Sequence, residues 1–177
     1  MELVLVERRF DSPIRLEDIL ALEIAGANCH QIRGVRFRKT FFSRDRCRML
    51  CLFEAPDAES VRDAESQAKV PFKRAWTCTH LQGLHSTVMT PSVEYVVVER
   101  LFPEAVTPAF VSNALRQSGW CLDLHGAEYV ESFLGSDGHR MVCLFRAPDA
   151  EAVRRANQQG GVPYTEVWTA SVHFGSE

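Results

Sequence analysis

No stretch of the 177-residue sequence approaches the roughly 20 consecutive apolar residues that a helical membrane span requires, so no such span is expected. Neither charge dominates. The formal net charge is -3 and the basic residues are scattered along the chain, which leaves no electrostatic footprint for nucleic acid. The phosphate loop, the dinucleotide fingerprint, the nucleophile elbow and the His-Glu-x-x-His zinc motif are all missing, which removes the enzyme classes that depend on them. There is no Cys-x-x-Cys pair among the six cysteines. Cys47 and Cys51 lie four apart on an expected strand, hence about 13 Å apart, too far for a disulfide. Free thiols in a cytoplasmic protein are the expectation. The opening Met1-Glu2-Leu3-Val4-Leu5-Val6-Glu7 has no basic leader and reads as a strand, not a signal peptide.

What is present is a repeat. Shifted by 92 positions, the sequence aligns on itself without a gap. Glu2, Val4, Val6, Glu7, Arg8 and Phe10 fall on Glu94, Val96, Val98, Glu99, Arg100 and Phe102. The segment from Arg48 to Glu59 falls on Arg140 to Glu151, and Val70-Pro71 and Trp76-Thr77 fall on Val162-Pro163 and Trp168-Thr169. Each copy reads as strand, helix, hairpin, helix, strand. The first strand is expected over 3–10 and 95–102, where β-branched residues concentrate. A helix follows, opened by Ser12-Pro13 or Thr107-Pro108, with Leu16, Ile19, Leu20, Ile24 and Ala27 as its apolar stripe. The hairpin is expected over 35–42 and 47–54, and Asp57 or Asp149 caps a second helix. The last strand carries Trp76 or Trp168, each expected to plug the core beside the helices.

This order is the split β-α-β plan. The expected fold class is therefore α+β: two tandem ferredoxin-like units, residues 1–80 and 93–177, joined by a linker over 81–92. Strands such as Met49–Phe53 are apolar at every position, so both faces of each sheet should be buried, whereas two helices cover only one. The copies are expected to pair as an intrachain pseudo-dimer, an α+β barrel or sandwich. Further association into a homo-oligomer stays open.

Three strings carry a family resemblance: Val-Glu-Arg-x-Phe, Cys-x-Phe-x-Ala-Pro-Asp-x-Glu-x-Val-Arg, and Val-Pro before the last strand. They resemble the small ferredoxin-like bacterial family known as domain of unknown function 4242, which includes a nickel-binding protein. The resemblance covers both copies. It implies a ferredoxin-like fold, pairing of two units and metal binding, and brings no enzymatic activity. Where that family often carries a second-strand histidine, this chain has Lys39 in one copy and Glu131 in the other.

Strand alternation supplies the candidate site. With Val4, Val6, Leu50 and Leu52 facing the helices, the opposite, inner face of copy one holds Glu7, Phe37, Lys39, Cys47, Met49, Cys51 and Phe53. Copy two places Glu99, Tyr129, Glu131, His139, Met141, Cys143 and Phe145 there. Glu7 is expected to pair with Lys39. Glu99 and Glu131, two carboxylates that cannot both stay ionised when buried without a cation or a proton, would join His139 and Cys143. That donor set suits one divalent nickel, zinc or iron ion per chain, held in copy two. The competing reading pairs the glutamates with Arg9, Arg100 or Arg140. Cys51 and Cys143 also read as small core hydrophobes. The recurring Arg8 and Arg100 read as structural ion pairs or as an anion site between the copies. His80, His85 and His173 read as solvated residues of linker and tail. A metal- or small-ligand-binding protein is the leading functional expectation. The alternatives are an α+β barrel enzyme of monooxygenase or isomerase type, with Glu99, Glu131 or His139 as general base, and a protein-interaction module.

Overall fold

The computed structural model describes residues 1–83, 89–91 and 93–175. His85 and much of the expected linker therefore lie outside the described residues. The first repeat runs β1 (Glu2–Arg9), α1 (Leu16–Ala25), α2 (Ala27–Ile32), β2 (Arg36–Ser43), β3 (Arg48–Ala55), α3 (Ala58–Ala68) and β4 (Arg74–Gln82). The second runs β5 (Glu94–Leu101), α4 (Pro108–Leu124), β6 (Glu128–Gly135), β7 (Arg140–Arg146), α5 (Ala150–Gln159) and β8 (Glu166–Phe174). The α+β class and the tandem ferredoxin-like plan are those expected. In the first repeat β3 pairs with β1 and β2, and β1 also with β4; in the second β7 pairs with β5 and β6, all antiparallel. Two compact units result: residues 1–78 with the chain's end from Ser171 on, and Thr79–Ala170. Among the described residues, no helix is long and apolar enough to cross a membrane.

The second helices begin as the sequence dictates. Asp57 accepts from the Ser60 amide at 2.7 Å and Asp149 from the Ala152 amide at 2.8 Å, satisfying donors the helix leaves orphaned. The first helices differ between the repeats. In the second, Thr107 caps α4 by accepting from the Phe110 amide. In the first, the helix starts at the equivalent position, Leu16, after Arg15 and not at the expected Ser12-Pro13, has no side-chain cap, and breaks at Gly26. Ile24, expected on the apolar stripe, is 77% exposed, and Ile19 alone is buried along α1.

Gly26 is there because nothing larger fits. A Cβ at that position would lie 2.3 Å from the Cβ of Ala68 on α3. The second repeat solves the same crossing the other way round, with Ser118 against Gly160. Gly26→Ser is expected to cost about 1–3 kcal/mol by overpacking, and Ala68→Gly in the same chain should restore most of it. Urea midpoints of the single and double variants check this; no rescue would show that the loss does not come from crowding against Ala68.

Register settles the faces. Residues directly opposite in an antiparallel pair share a face, and β1 pairs with β3 as Val4↔Phe53, Val6↔Cys51 and Arg8↔Met49. Met49, Cys51 and Phe53 thus join Val4 and Val6 under the helices, packed with Ile19, Val61 and Ala64. This corrects the expectation that Leu50 and Leu52 face the helices. The second repeat repeats it, with Val96, Val98, Met141, Cys143 and Phe145 beneath Val111 and Val153. A β-bulge between Phe37 and Lys39, and its copy between Tyr129 and Glu131, supplies the other correction. The extra residue sends Phe37 and Tyr129 to the helix side and Lys39 and Glu131 to the opposite one. Trp76, opposite Leu5, also lies on the face away from the helices. That face is buried too, by Leu5, Phe41, Leu50 and Leu52 in the first repeat and Val97, Phe133, Val142 and Leu144 in the second.

Candidate functional site

Beneath the helices of the first repeat lies a cluster of four ionisable side chains. Arg8 comes from β1, Glu23 from α1, His30 from α2 and Glu65 from the last turn of α3. Arg8 and Glu65 are fully buried. Glu65 sits at the end of its helix where the macrodipole disfavours negative charge, so its position depends on cationic neighbours. Arg8 Nη2 donates to Glu23 Oε1 at 2.6 Å and to Glu65 Oε2 at 2.9 Å. Its Nη1 donates to the carbonyl of Pro71 at 2.8 Å and its Nε to Cys51 Sγ at 3.5 Å. The recurring Val-Pro string thereby provides the acceptor that fixes the guanidinium fork.

The other oxygen of each carboxylate turns to His30. Its Nε2 lies 3.5 Å from Glu23 Oε2 and 3.4 Å from Glu65 Oε1, and its ring stacks on Phe53. One donor atom from each of Glu23, His30 and Glu65 falls within 4.8 Å of the other two. Burial, then the charge of Glu65, pushes the Glu23 carboxyl up to about 7, against the pull of Arg8 and His30. The hydrogen bond to Glu65 raises the His30 pKa, with burial opposing it. Two carboxylates share one guanidinium here, so the cluster carries surplus negative charge that a proton or another cation can satisfy.

Shifted by 92, these positions are Arg100, Leu115, Leu122 and Asn157. The second repeat keeps the arginine and loses every acid. Arg100 donates from Nη2 to Asn157 Oδ1 at 2.7 Å, from Nη1 to the Pro163 carbonyl at 2.6 Å and from Nε to Cys143 Sγ at 3.5 Å. It lines a cavity of about 350 Å³ between the sheet, α4 and α5.

The residues expected from sequence to form a site are placed apart. Glu99 accepts from Trp168 Nε1 at 2.7 Å, which puts Trp168 on the face away from the helices and not beside them. Glu131 Oε2 lies 2.7 Å from His80 Nε2. His80, expected to be a solvated linker residue, belongs to β4 and stacks on Phe133. Glu99 and Glu131 share a face, since they oppose Val142 and Leu144. Cys143 opposes Val98 and Ser132 and so faces the helices, away from both. His139 sits in the exposed β6–β7 turn with Nδ1 3.0 Å from the Phe102 carbonyl. In the first repeat Glu7 pairs with Arg9 and Arg74, each at 2.9 Å, and with Lys73 at 3.9 Å, not with Lys39. Lys39 Nζ lies over the Phe41 ring. Cys51 is buried on the helix side, bonded to Thr40 and Arg8, and burial pushes its thiol up. His173 hydrogen-bonds Ser171, and burial lowers its pKa. All six cysteines are free thiols.

Sequence reasoning passed over Glu23, His30 and Glu65. The signal was available: Glu23 lies four residues after Ile19, and Glu65 four after Val61, so both occupy the inward stripe of their helices.

Among solved structures, a protein described as a chlorite dismutase aligns over 98% of this chain and 96% of its own, with 11% identity and a TM-score of 0.51. A heme-binding protein from Thermus thermophilus aligns over 97% and 90%, with 9% identity and a TM-score of 0.50. At such identities both likenesses concern the fold alone. No curated protein matches the sequence. The family described as nickel responsive protein, SCO4226-like, matches residues 5–77 and 95–169, one match per repeat. The chain belongs to this SCO4226-like family of nickel responsive proteins.

Proposed function

We propose that the protein binds one divalent transition metal ion, nickel first among candidates, through Glu23, His30 and Glu65 of the first repeat. The observation that carries the reading is the division of labour between carboxylate oxygens: Arg8 holds Oε1 of Glu23 and Oε2 of Glu65, while Oε2 and Oε1 converge on His30 Nε2. Ligands about 2.0–2.1 Å from one ion and about 90–115° apart lie roughly 2.8–3.5 Å from each other, and the two separations from His30 Nε2 are 3.4 and 3.5 Å, at the upper end of that range. An imidazole and two carboxylates suit nickel, zinc or iron. Arg8, bonded to the outer oxygens, is then the orienting partner that such ligands require. A neutral imidazole nitrogen facing two carboxylates is repulsive unless a proton or a metal lies between them, so the cluster is built for a cation in either state.

Calorimetric titration of untagged, chelator-treated protein with Ni²⁺, then with Zn²⁺, tests this. The expected stoichiometry is one ion per chain. His30→Gln keeps the Arg8–glutamate pairs and should weaken binding by about a hundredfold. Glu131→Lys should leave binding unchanged. The second reading places the ion in repeat two, on the face that Glu99 and Glu131 share, without Cys143 and His139, which lie elsewhere. If Glu131→Lys abolishes binding and His30→Gln does not, that reading replaces the first. Absence of binding in the wild-type chain defeats both.

A further inference from the structure

We infer that the second repeat holds a separate binding site, between α4, α5 and the sheet, for a small organic carboxylate with an apolar body. Arg100 is its anion receptor. The inference stands on the contrast between two copies of one unit and does not depend on the metal reading.

Arg100 is 4% exposed. Its acceptors are a backbone carbonyl, an amide oxygen and a cysteine sulfur; no carboxylate pairs with it among the described residues. Its counterpart Arg8 has two. A guanidinium has five N–H donors, and three donor–acceptor pairs leave part of the Arg100 fork unspent, in a residue that lines the cavity. A buried cation without a counterion is costly, and here an anion from solution can supply one.

The first repeat shows what that anion looks like. Glu23 reaches Arg8 from the first helix. In the second repeat Leu115 stands at that position, and the space beside the arginine is part of the cavity. Four further exchanges point the same way, although Ala25 becomes Gln117 and Gly26 becomes Ser118. His30 becomes Leu122, Glu65 becomes Asn157, and the polar Asp18 and Asn28 become Phe110 and Trp120. Phe110 and Trp120 line the cavity while remaining 54% and 57% exposed, so two large aromatics stand at its mouth in contact with solvent. Met141 and Phe145 form the floor on the sheet. Mostly apolar walls, interrupted by Gln117, Ser118, Asn157 and Gln159, around one charge, in a volume near the lower end of the ~300–1,000 Å³ of small-molecule sites, favour a monocarboxylate with an aliphatic or aromatic body. A dianion or a sugar would leave polar groups unpaired against those walls.

Decanoate is the probe, with decanol as its uncharged counterpart, both followed by calorimetry and by the fluorescence of Trp120. Wild type is expected to bind decanoate at least tenfold more tightly than decanol. Leu115→Glu restores the internal carboxylate of the first repeat and should fold normally, yet lose decanoate affinity at least tenfold. Arg100→Gln should reduce decanoate affinity to the level of decanol and leave decanol binding unchanged. Trp120→Phe should remove the fluorescence response while calorimetry still reports binding. The proposal is overturned if wild type binds no decanoate, if decanol binds as well as decanoate, or if Leu115→Glu binds decanoate like wild type.

Discussion

Arg8→Leu is expected to destabilise the protein by about 3–5 kcal/mol, whereas Arg100→Leu, the same change at the equivalent position, should shift stability by no more than about 1–2 kcal/mol. Arg8 lies between two carboxylates at 2.6 and 2.9 Å, one of them fully buried. Removing it strands both in a medium where an unpaired charge costs several kcal/mol. Among the described residues Arg100 has no carboxylate to strand. Its removal frees three neutral acceptors, each worth about 1 kcal/mol, and at the same time abolishes a buried charge without a counterion. The two terms oppose. Urea denaturation of both variants at pH 7.5 provides the comparison, with each repeat serving as control for the other. Equal losses would mean that the arginines serve alike as hydrogen-bonding plugs and that the acids of the first repeat contribute nothing. Lowering the pH to about 5 should shrink the Arg8→Leu loss, because the stranded carboxyls then protonate, and leave the Arg100→Leu result where it was.

The same four positions show why the sequence revealed the frame and not the site. The gapless shift of 92, the Asp57 and Asp149 caps and the β-branched strands are local or repetitive signals, and each survives into the structure. The faces of β3 and β7 are not local. They follow from the register against β1 and β5, and Val6↔Cys51 could as readily have been Val6↔Leu50 on periodicity alone. The bulge after Phe37 then flips Lys39 relative to Phe37, which a strict period of two cannot anticipate. An inner set containing Glu7, Cys51 and Phe37 together was built on both of those unobservable choices. The helical acids were a different kind of omission. Glu23 and Glu65 break apolar stripes at inward spacing, and a charged residue in such a stripe asks for a partner; Arg8, recurring on a strand, was that partner. The repeats differ, where their other signals recur, at the positions proposed here to bind ligands: Glu23/Leu115, His30/Leu122, Glu65/Asn157 and Asp18/Phe110.

The apo protein should lose stability as pH rises through about 4.5 to 7 and beyond, and metal binding should strengthen across the same interval. Glu23 has its carboxyl pushed from an ordinary 4.5 up to about 7, first by burial and next by Glu65. His30 is raised above its ordinary 6.5, chiefly by its hydrogen bond to Glu65. Both groups therefore hold protons more tightly in the folded chain than in the unfolded one. Stability linked to a raised pKa is complete below the unfolded value and is lost as pH climbs through the folded one. For Glu23 that loss spans about 4.5 to 7, and for His30 it begins near 6.5. A metal needs both groups deprotonated, so binding expels up to about two protons and its affinity should rise roughly tenfold to a hundredfold per pH unit below pH 7. The Tm of the Ni²⁺-loaded protein should accordingly separate from that of the apo protein as pH rises from 5.5 to 7.5. Calorimetry in buffers of different ionisation enthalpy counts the protons released. Glu23→Gln should remove the first of them and flatten the slope, while leaving Glu65 and Arg8 paired. An affinity that is flat from pH 5.5 to 7.5, or a slope that Glu23→Gln leaves intact, would separate metal binding from this cluster and return Glu23, His30 and Glu65 to the role of a buried ion network around Arg8.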